Sequence, residues 1–553
     1  MARVEQGKRG RLVVALSAVA LLVGACGGSD GDTGGADGSE APATEESDER
    51  VAIEDPSASL GDDSGGETAS DGGTDDSDSN EPPEPDDAPA PLGELRVSVL
   101  VPLRTWNPHV EAAEVMDTYY NAVFEKLVDY DSELRLQPEL ATSWLITSEA
   151  IDFELREDVV FHDGTPFDAE AVKWNIEHAK STPSEAATAL AVVESVEVTG
   201  PYAVRLNLSS PAPQLVWKLA QAPGMMISPN SVDVNTTPVG TGPWQFDPDG
   251  SGAGVWRVEV FEGYWDPAKQ GLEAISFSFV PDAAARTNAL LAGETDVAVV
   301  NPDALGTLDG AGVPVLESDS SVISLSLFDR EPGGVFEDPR VREAISLAID
   351  RDRLLVDDYG DTLCRRFVTG EYGGGPNEGC DYDPDRARAL LAEAGVEGLE
   401  FNAPSFFVFD DINQIVQAML AEVGVTMNIV PITPGTLDPE VASGNYEASV
   451  HPVVVFHPAS LYSDFLAADA LWNVQGIEPN SAAAAASAFA EADFGAADEL
   501  WTEVDRLAAE DRALITLFRP TVFIGVSPNL IDPAPVRNVA NAIVYDGLRF
   551  ASN

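Results

Sequence analysis

The chain has 553 residues, with 94 Asp and Glu against 31 Lys and Arg and a formal net charge of -63. That length exceeds one ordinary core and predicts two or three domains, and the 44% apolar content is enough for globular folding. So acidic a chain lacks the cationic side chains that neutralise phosphates, which argues against a nucleic-acid partner.

Arg3, Lys8, Arg9 and Arg11 form a basic start, and Leu12 to Val23 is an apolar run. The run is too short for a stable membrane-spanning helix and fits an export signal. Small residues and then Cys26 follow it. This ending is similar to a bacterial lipobox, in which the Cys becomes the lipid-bearing first residue; a plain signal peptide with an incidental Cys is the alternative. Residues 1–26 are therefore read as a lipoprotein signal peptide. Residues 27–92 follow as an acidic linker, with 21 acidic side chains and one Arg up to Pro91. Almost no large apolar residue interrupts it, so it cannot bury enough surface to order itself, and its like charges extend it.

Leu95 to Leu100 reads as a strand, Trp106 to His109 as a turn, and Thr118 to Leu127 as a helix. Ile151 to Arg156 alternates apolar and polar, the mark of a strand wet on one face. Asp168 caps a helix with Ala171, Val172, Ile176 and Ala179 facing inward. Val192 to Leu208 reads as a hairpin turning at Gly200-Pro201. Trp256–Phe261 and Ile275–Val280 read as strands, and Ala283–Ala292 as a helix.

The stretch Ser321–Leu355 reads as a lobe-to-lobe crossover. Val322, Ile323, Leu325, Leu327 and Phe328 make a buried strand, Asp329 to Gly334 breaks it, and Asp338-Pro339 opens a capped helix. Beyond it, Asp383-Pro384 opens another helix ending at Gly395. Asp411–Val423 is a helix and Val425–Val430 a strand, and helix alternating with strand implies a parallel or mixed covered sheet. Ser481–Ala490 and Ala496–Ala509 read as helices. Leu514–Phe518 and Val522–Val526 flank Arg519-Pro520 as the return crossing.

Three cysteines exist. Cys364 and Cys380 bracket a Gly-rich loop, and in an exported chain such a pair usually forms a disulfide, worth about 3 kcal/mol for a loop of this length. A metal site and free thiols are the alternatives; no His lies within zinc-ligand spacing of either Cys. There is no Gly-x-Ser-x-Gly elbow, no His-Glu-x-x-His and no phosphate-cradling glycine loop. The residues thus favour non-covalent binding over catalysis, with no cofactor.

Six stretches, in order, carry a resemblance. They are Asn107-Pro108-His109, Phe153–Ala179, Val239–Trp244, Tyr264–Pro267, Asp282–Asp296 and Asp338–Ala344. Together they resemble the family 5 extracellular solute-binding proteins, the oligopeptide-, dipeptide- and nickel-binding receptors of ABC importers. The resemblance implies a two-lobed periplasmic-binding-protein-like α/β fold with mixed sheets and an extra α+β subdomain in the first lobe. On that basis lobe I comprises 93–114, 236–327 and 520–553, its subdomain 115–235, and lobe II 328–519. It also implies hinge closure of the lobes on a small organic solute, permease partners, a monomer, and a place on the outer face of the cytoplasmic membrane. A transport-inactive solute-sensing or cell-envelope partner lipoprotein of the same fold is the alternative.

In that family the ligand cleft is lined by stretches that correspond here to Glu111–Val115, Ser324–Phe328 and His451–Trp472. The resemblance thus points to Trp106, Glu111, Ala113, Ser326, Phe328, His451, Phe456, His457 and Trp472 as ligand-binding residues. Peptide-binding members carry a Trp-x-x-Asp-like motif whose Asp pairs the peptide amine. Here His451 stands at the Trp position and Val454 at the Asp position. Val cannot pair an ammonium, so a free-amine peptide would need another anchor. His451 and His457 as metal ligands, an aromatic wall including Tyr446, Tyr462 and Trp244, and plain core packing of these rings all remain open.

Overall fold

The computed structural model describes residues 93–551 except 113, 132–134, 320, 356–360, 363–380, 407–408, 434–435, 454, 456, 469, 471, 492–493, 532–537 and 540–541. The export signal, Cys26, the acidic linker and the Cys364–Cys380 pair lie outside the described residues. No helix among the described residues is long and apolar enough to cross a membrane.

Seven strands form the sheet of the first lobe. Their order is Val315–Asp319, Thr521–Val526, Val297–Val300, Glu94–Val99, Ala274–Phe279, Val255–Val260, Trp244–Phe246. Glu94–Val99 runs parallel to both its neighbours, and the remaining pairs are antiparallel. Val97, Ile275, Phe277, Trp244 and Ile524 bury their side chains in one core beneath this sheet. A separate four-stranded antiparallel sheet, Ala141–Ile146, Ala150–Leu155, Ala203–Leu208 and Val193–Gly200, makes the α+β subdomain. Helix Ala169–Ser181 covers it with Val172, Ile176 and Ala179, the apolar face that its spacing predicted. Asp168 starts that helix by accepting a hydrogen bond from the Ala171 N–H at 3.0 Å, one of the donors a helix start leaves unpaired.

The second lobe is built on Asp361–Thr362, Leu514–Arg519, Val322–Leu327 and Ala448–Val453, joined antiparallel in that order. A parallel pair, Glu400–Ser405 and Thr426–Pro431, extends the lobe. Helices Pro339–Ala348, Pro384–Glu393 and Asp410–Glu422 cover its main core. Asp338 and Asp383 cap the first two through the N–H groups of Arg340 and Arg386.

The structure differs from the sequence reading in two places. The helix expected over Thr118–Leu127 is a single turn, Asp117–Tyr120. The carbonyls of Ala122 and Val123 instead accept from the N–H groups of Trp244 and Gly242, at 3.0 and 2.9 Å. Those tertiary bonds replace the bonds that would have extended the helix. Gly240 and Gly242 permit the approach, since a Cβ at Gly240 would lie 2.1 Å from the Val123 oxygen.

The second difference is the crossover. Val322–Leu327, assigned to lobe I, is hydrogen-bonded on both edges within the second sheet. The chain therefore changes lobe between Asp319 and Val322, not after Leu327. On the return, Leu514–Arg519 lies in the second sheet and Thr521–Val526 in the first, with Pro520 between. Asp319 pairs with Thr521 and Ile323 with Phe518. The two crossings thus run side by side as one antiparallel ribbon between the two sheets.

Candidate functional site

Strand Val322–Leu327 is buried along its whole length, and its two faces differ. Ile323, Leu325 and Leu327 enter the apolar core of the second lobe. Ser324 and Ser326 point to the opposite face, where the paired strand supplies His451 and Ser449. Period-two alternation in both strands makes this division unavoidable.

His451 is fully buried there, stacked on Trp472 at 3.8 Å and 16°, with Phe465 beyond at 5.8 Å. Its Nδ1 lies 2.9 Å from the Pro452 carbonyl, which can only accept, so Nδ1 carries the proton. Nε2 then accepts from the Ser326 hydroxyl at 2.7 Å. Burial lowers the His451 pKa to about 4, so the imidazole is neutral at pH 7. Phe328 packs nearby, 6.2 Å from Trp472, and is itself buried. Ser326, Phe328, His451 and Trp472 therefore form one cluster, of which Trp472 alone is partly exposed.

His457 lies apart from it. Its Nδ1 accepts from the Ala459 N–H at 3.0 Å and so caps helix Pro458–Leu461. Its ring sits between Trp501, at 5.4 Å, and Trp217 of the first lobe, at 4.5 Å. Burial holds its pKa near 3. Next to this contact, Lys218 Nζ meets Asp464 Oδ2 at 2.9 Å, with side chains 27% and 35% exposed. Helix Leu215–Leu219 of the first lobe's subdomain thus meets the Pro458–Leu466 segment of the second, with a ring pair and an ion pair across the junction. Nothing in the sequence marks Lys218 for Asp464; they are 246 residues apart and only the docking of lobes pairs them.

The remaining expected residues divide between the core and the rim of the first lobe. Trp106 is buried against Tyr119 and Phe246. Glu111 pairs with Arg104 at the surface. Trp244 is fully buried and donates to the Leu272 carbonyl. Ala113 and Phe456 lie outside the described residues. Both nitrogens of His451 and one of His457 are engaged as above. No group of three or more His, Cys, Asp or Glu among the described residues could hold a metal ion.

Residues 135–469 match the profile of the bacterial extracellular solute-binding proteins, family 5 Middle. The chain belongs to family 5 of the bacterial extracellular solute-binding proteins. Family 5 proteins are transport receptors rather than enzymes, so the buried Ser326–His451 pair is read as packing chemistry and not as a nucleophile and base. Among its relatives is the glutathione-binding protein GsiB of Escherichia coli strain K12. It is 29% identical over 366 residues, covering 60% of this chain and 69% of that protein. The protein of the same name from Pectobacterium atrosepticum is 26% identical over 357 residues, covering 61% and 68%.

Solved structures agree in fold. AgaA of A. tumefaciens in complex with agropinic acid superposes with a TM-score of 0.70 at 21% identity, covering 83% of this chain and 99% of that one. DppA of Helicobacter pylori, in complex with the peptide STSA, gives 0.68 at 19% identity, covering 83% and 98%. This family 5 receptor thus has the two-lobed α/β fold that its ordered motifs implied.

Proposed function

We propose that this solute-binding receptor serves an ABC importer, capturing a small organic solute between its lobes and presenting the closed form to permease subunits. The observation that carries the reading is the ribbon at Asp319–Val322 and Arg519–Thr521, the double connection between two separately packed lobes. A solute that touches both lobes stabilises the closed arrangement over the open one, which is the differential affinity that closure requires. The curated relatives named above bind glutathione, which favours a peptide-like solute. The absence of an acidic residue at Val454 requires that any amine be held elsewhere.

In this reading Cys26 carries the lipid, residues 27–92 hold the receptor off the outer face of the cytoplasmic membrane, and Cys364–Cys380 closes a disulfide. Lobe I comprises 93–114, 236–319 and 521–553, with 115–235 as its subdomain. Trp106, Glu111, Ala113, Ser326, Phe328, His451, Phe456, His457 and Trp472 are proposed to line or support the ligand site. The buried members shape it from beneath, and Glu111 and Trp472 reach its surface.

A thermal-unfolding screen against glutathione, short peptides, opine-type conjugates, sugars and nickel tests this. A ligand that binds only the folded state raises the midpoint with concentration. A peptide-like solute should give the largest rise. A purified receptor that responds to no solute class and copurifies with none in native mass spectrometry would overturn solute capture and favour a cell-envelope partner role. For the anchor, Cys26→Ser should release the protein from the membrane fraction.

A further inference from the structure

A pair of histidines outside the interlobe junction lacks an explanation in solute capture. His109 sits in the early turn of the first lobe and is fully buried. His178 lies in the last turn of helix Ala169–Ser181, its ring stacked on Trp174 at 4.7 Å and 5°. The two imidazoles are neighbours, with ring centres 5.7 Å apart. His109 Nε2 is 3.0 Å from the Met225 carbonyl, so it carries the proton and leaves a lone pair on Nδ1. That Nδ1 is buried and has no hydrogen-bond partner, and the same holds for Nε2 of His178. A buried polar nitrogen without a partner costs about 1–3 kcal/mol, and here two occur on adjoining rings.

We propose that His109 and His178 together hold a two-coordinate soft cation of the cuprous class, pinning the early turn of the first lobe to the subdomain helix. The donor set selects this chemistry. Imidazole serves zinc, copper, iron and nickel alike, but a structural zinc site takes four protein ligands, and two donors alone match the low coordination number of the cuprous ion. No third His, Cys, Asp or Glu joins the pair among the described residues. With the two free nitrogens turned to one ion, metal–nitrogen bonds of roughly 2.0 Å would put the ring centres about 6 Å apart, against the observed 5.7 Å. The Met225 carbonyl orients His109 as second-shell acceptors orient metal-bound imidazoles. Burial lowers the pKa of both rings, His109 to about 4, so each is in the neutral form a metal needs at pH 7.

The test uses the purified full chain under anaerobic conditions, with cuprous ion buffered by bicinchoninate. Cysteine thiols also bind this ion, so the readout must report on the histidine pair itself. Crystals loaded with the ion should show anomalous density between His109 Nδ1 and His178 Nε2. The unfolding midpoint should rise with the ion in the wild type, and His178→Gln should abolish most of that rise. His178 is only partly buried, so this variant should fold, and the rise is read from its own metal-free midpoint; His178→Phe is the second variant if it does not fold. Density confined to other sites, or an equal midpoint rise in wild type and variant, overturns the proposal.

Discussion

His109, His162, His451 and His457 are buried deeply enough to stay neutral, with pKa values lowered to about 4, 4, 4 and 3. In the unfolded chain each binds a proton near pH 6.5. Their contribution to stability is therefore complete above that pH and is lost as the pH falls towards the folded values. Glu139, whose carboxyl burial raises well above its usual range, acts in the opposite direction, and so does Glu125. Burial raises its carboxyl to about 7, against partial relief from Lys269 and from hydrogen bonds donated by Tyr264 and Trp265. Its contribution is complete below about pH 4.5 and lost as the pH rises to about 7. Between pH 5 and 6, the four histidine protons outweigh the two carboxyl protons. Stability should fall on acidification by up to about 3 kcal/mol per pH unit, measured as urea midpoints across that range. A flat profile would contradict the burial of these rings. At the Ser326–His451 bond, Ser326→Ala leaves Nε2 buried without a donor and should cost about 1–3 kcal/mol, read by chemical denaturation. The sequence marked His451 as an oddity of its motif, but its chemistry is set by neighbours that only the fold supplies.

Helix starts were the most legible elements. Asp168, Asp282, Asp338 and Asp383 each stand before a helix and accept from its first turn. Capping is local, so spacing alone reveals it. Asp338→Ala should destabilise the second lobe by about 1 kcal/mol, seen as a lower unfolding midpoint. The turn at Asp117–Tyr120 shows where local reading ends. Its apolar spacing suits a longer helix, yet the Gly240–Trp244 backbone takes the carbonyls. Gly240→Ala would drive a Cβ into the Val123 oxygen. It should cost several times the loss of one cap, and limited proteolysis should show a loosened first lobe.

Across the whole molecule, the described residues place Trp217 against His457 and Lys218 against Asp464 where the lobes meet. The ion pair is partly exposed, so Lys218→Met should change global stability by less than about 1 kcal/mol. It should nevertheless loosen the closed arrangement. Small-angle scattering of the solute-free variant should give a larger radius of gyration than the wild type. Salt above about 0.5 M, where screening is short-ranged, should produce the same change in the wild type. An identical radius under all three conditions would mean that this contact does not hold the lobes together.

The sequence by itself determined the family, the strands and capped helices, the passage back through Pro520 and the apolar faces of each element. These follow from chain-local causes: alternation, helical spacing, cap chemistry and ordered short motifs. The tertiary structure alone decided that Val322–Leu327 belongs to the second sheet, because a strand's sheet is fixed by its partners Ala448–Val453 and Leu514–Arg519, far along the chain. It also decided which polar groups meet across the lobes and which histidines lie side by side. Those pairings depend on how separately folded bodies dock, and no pattern confined to one segment encodes them.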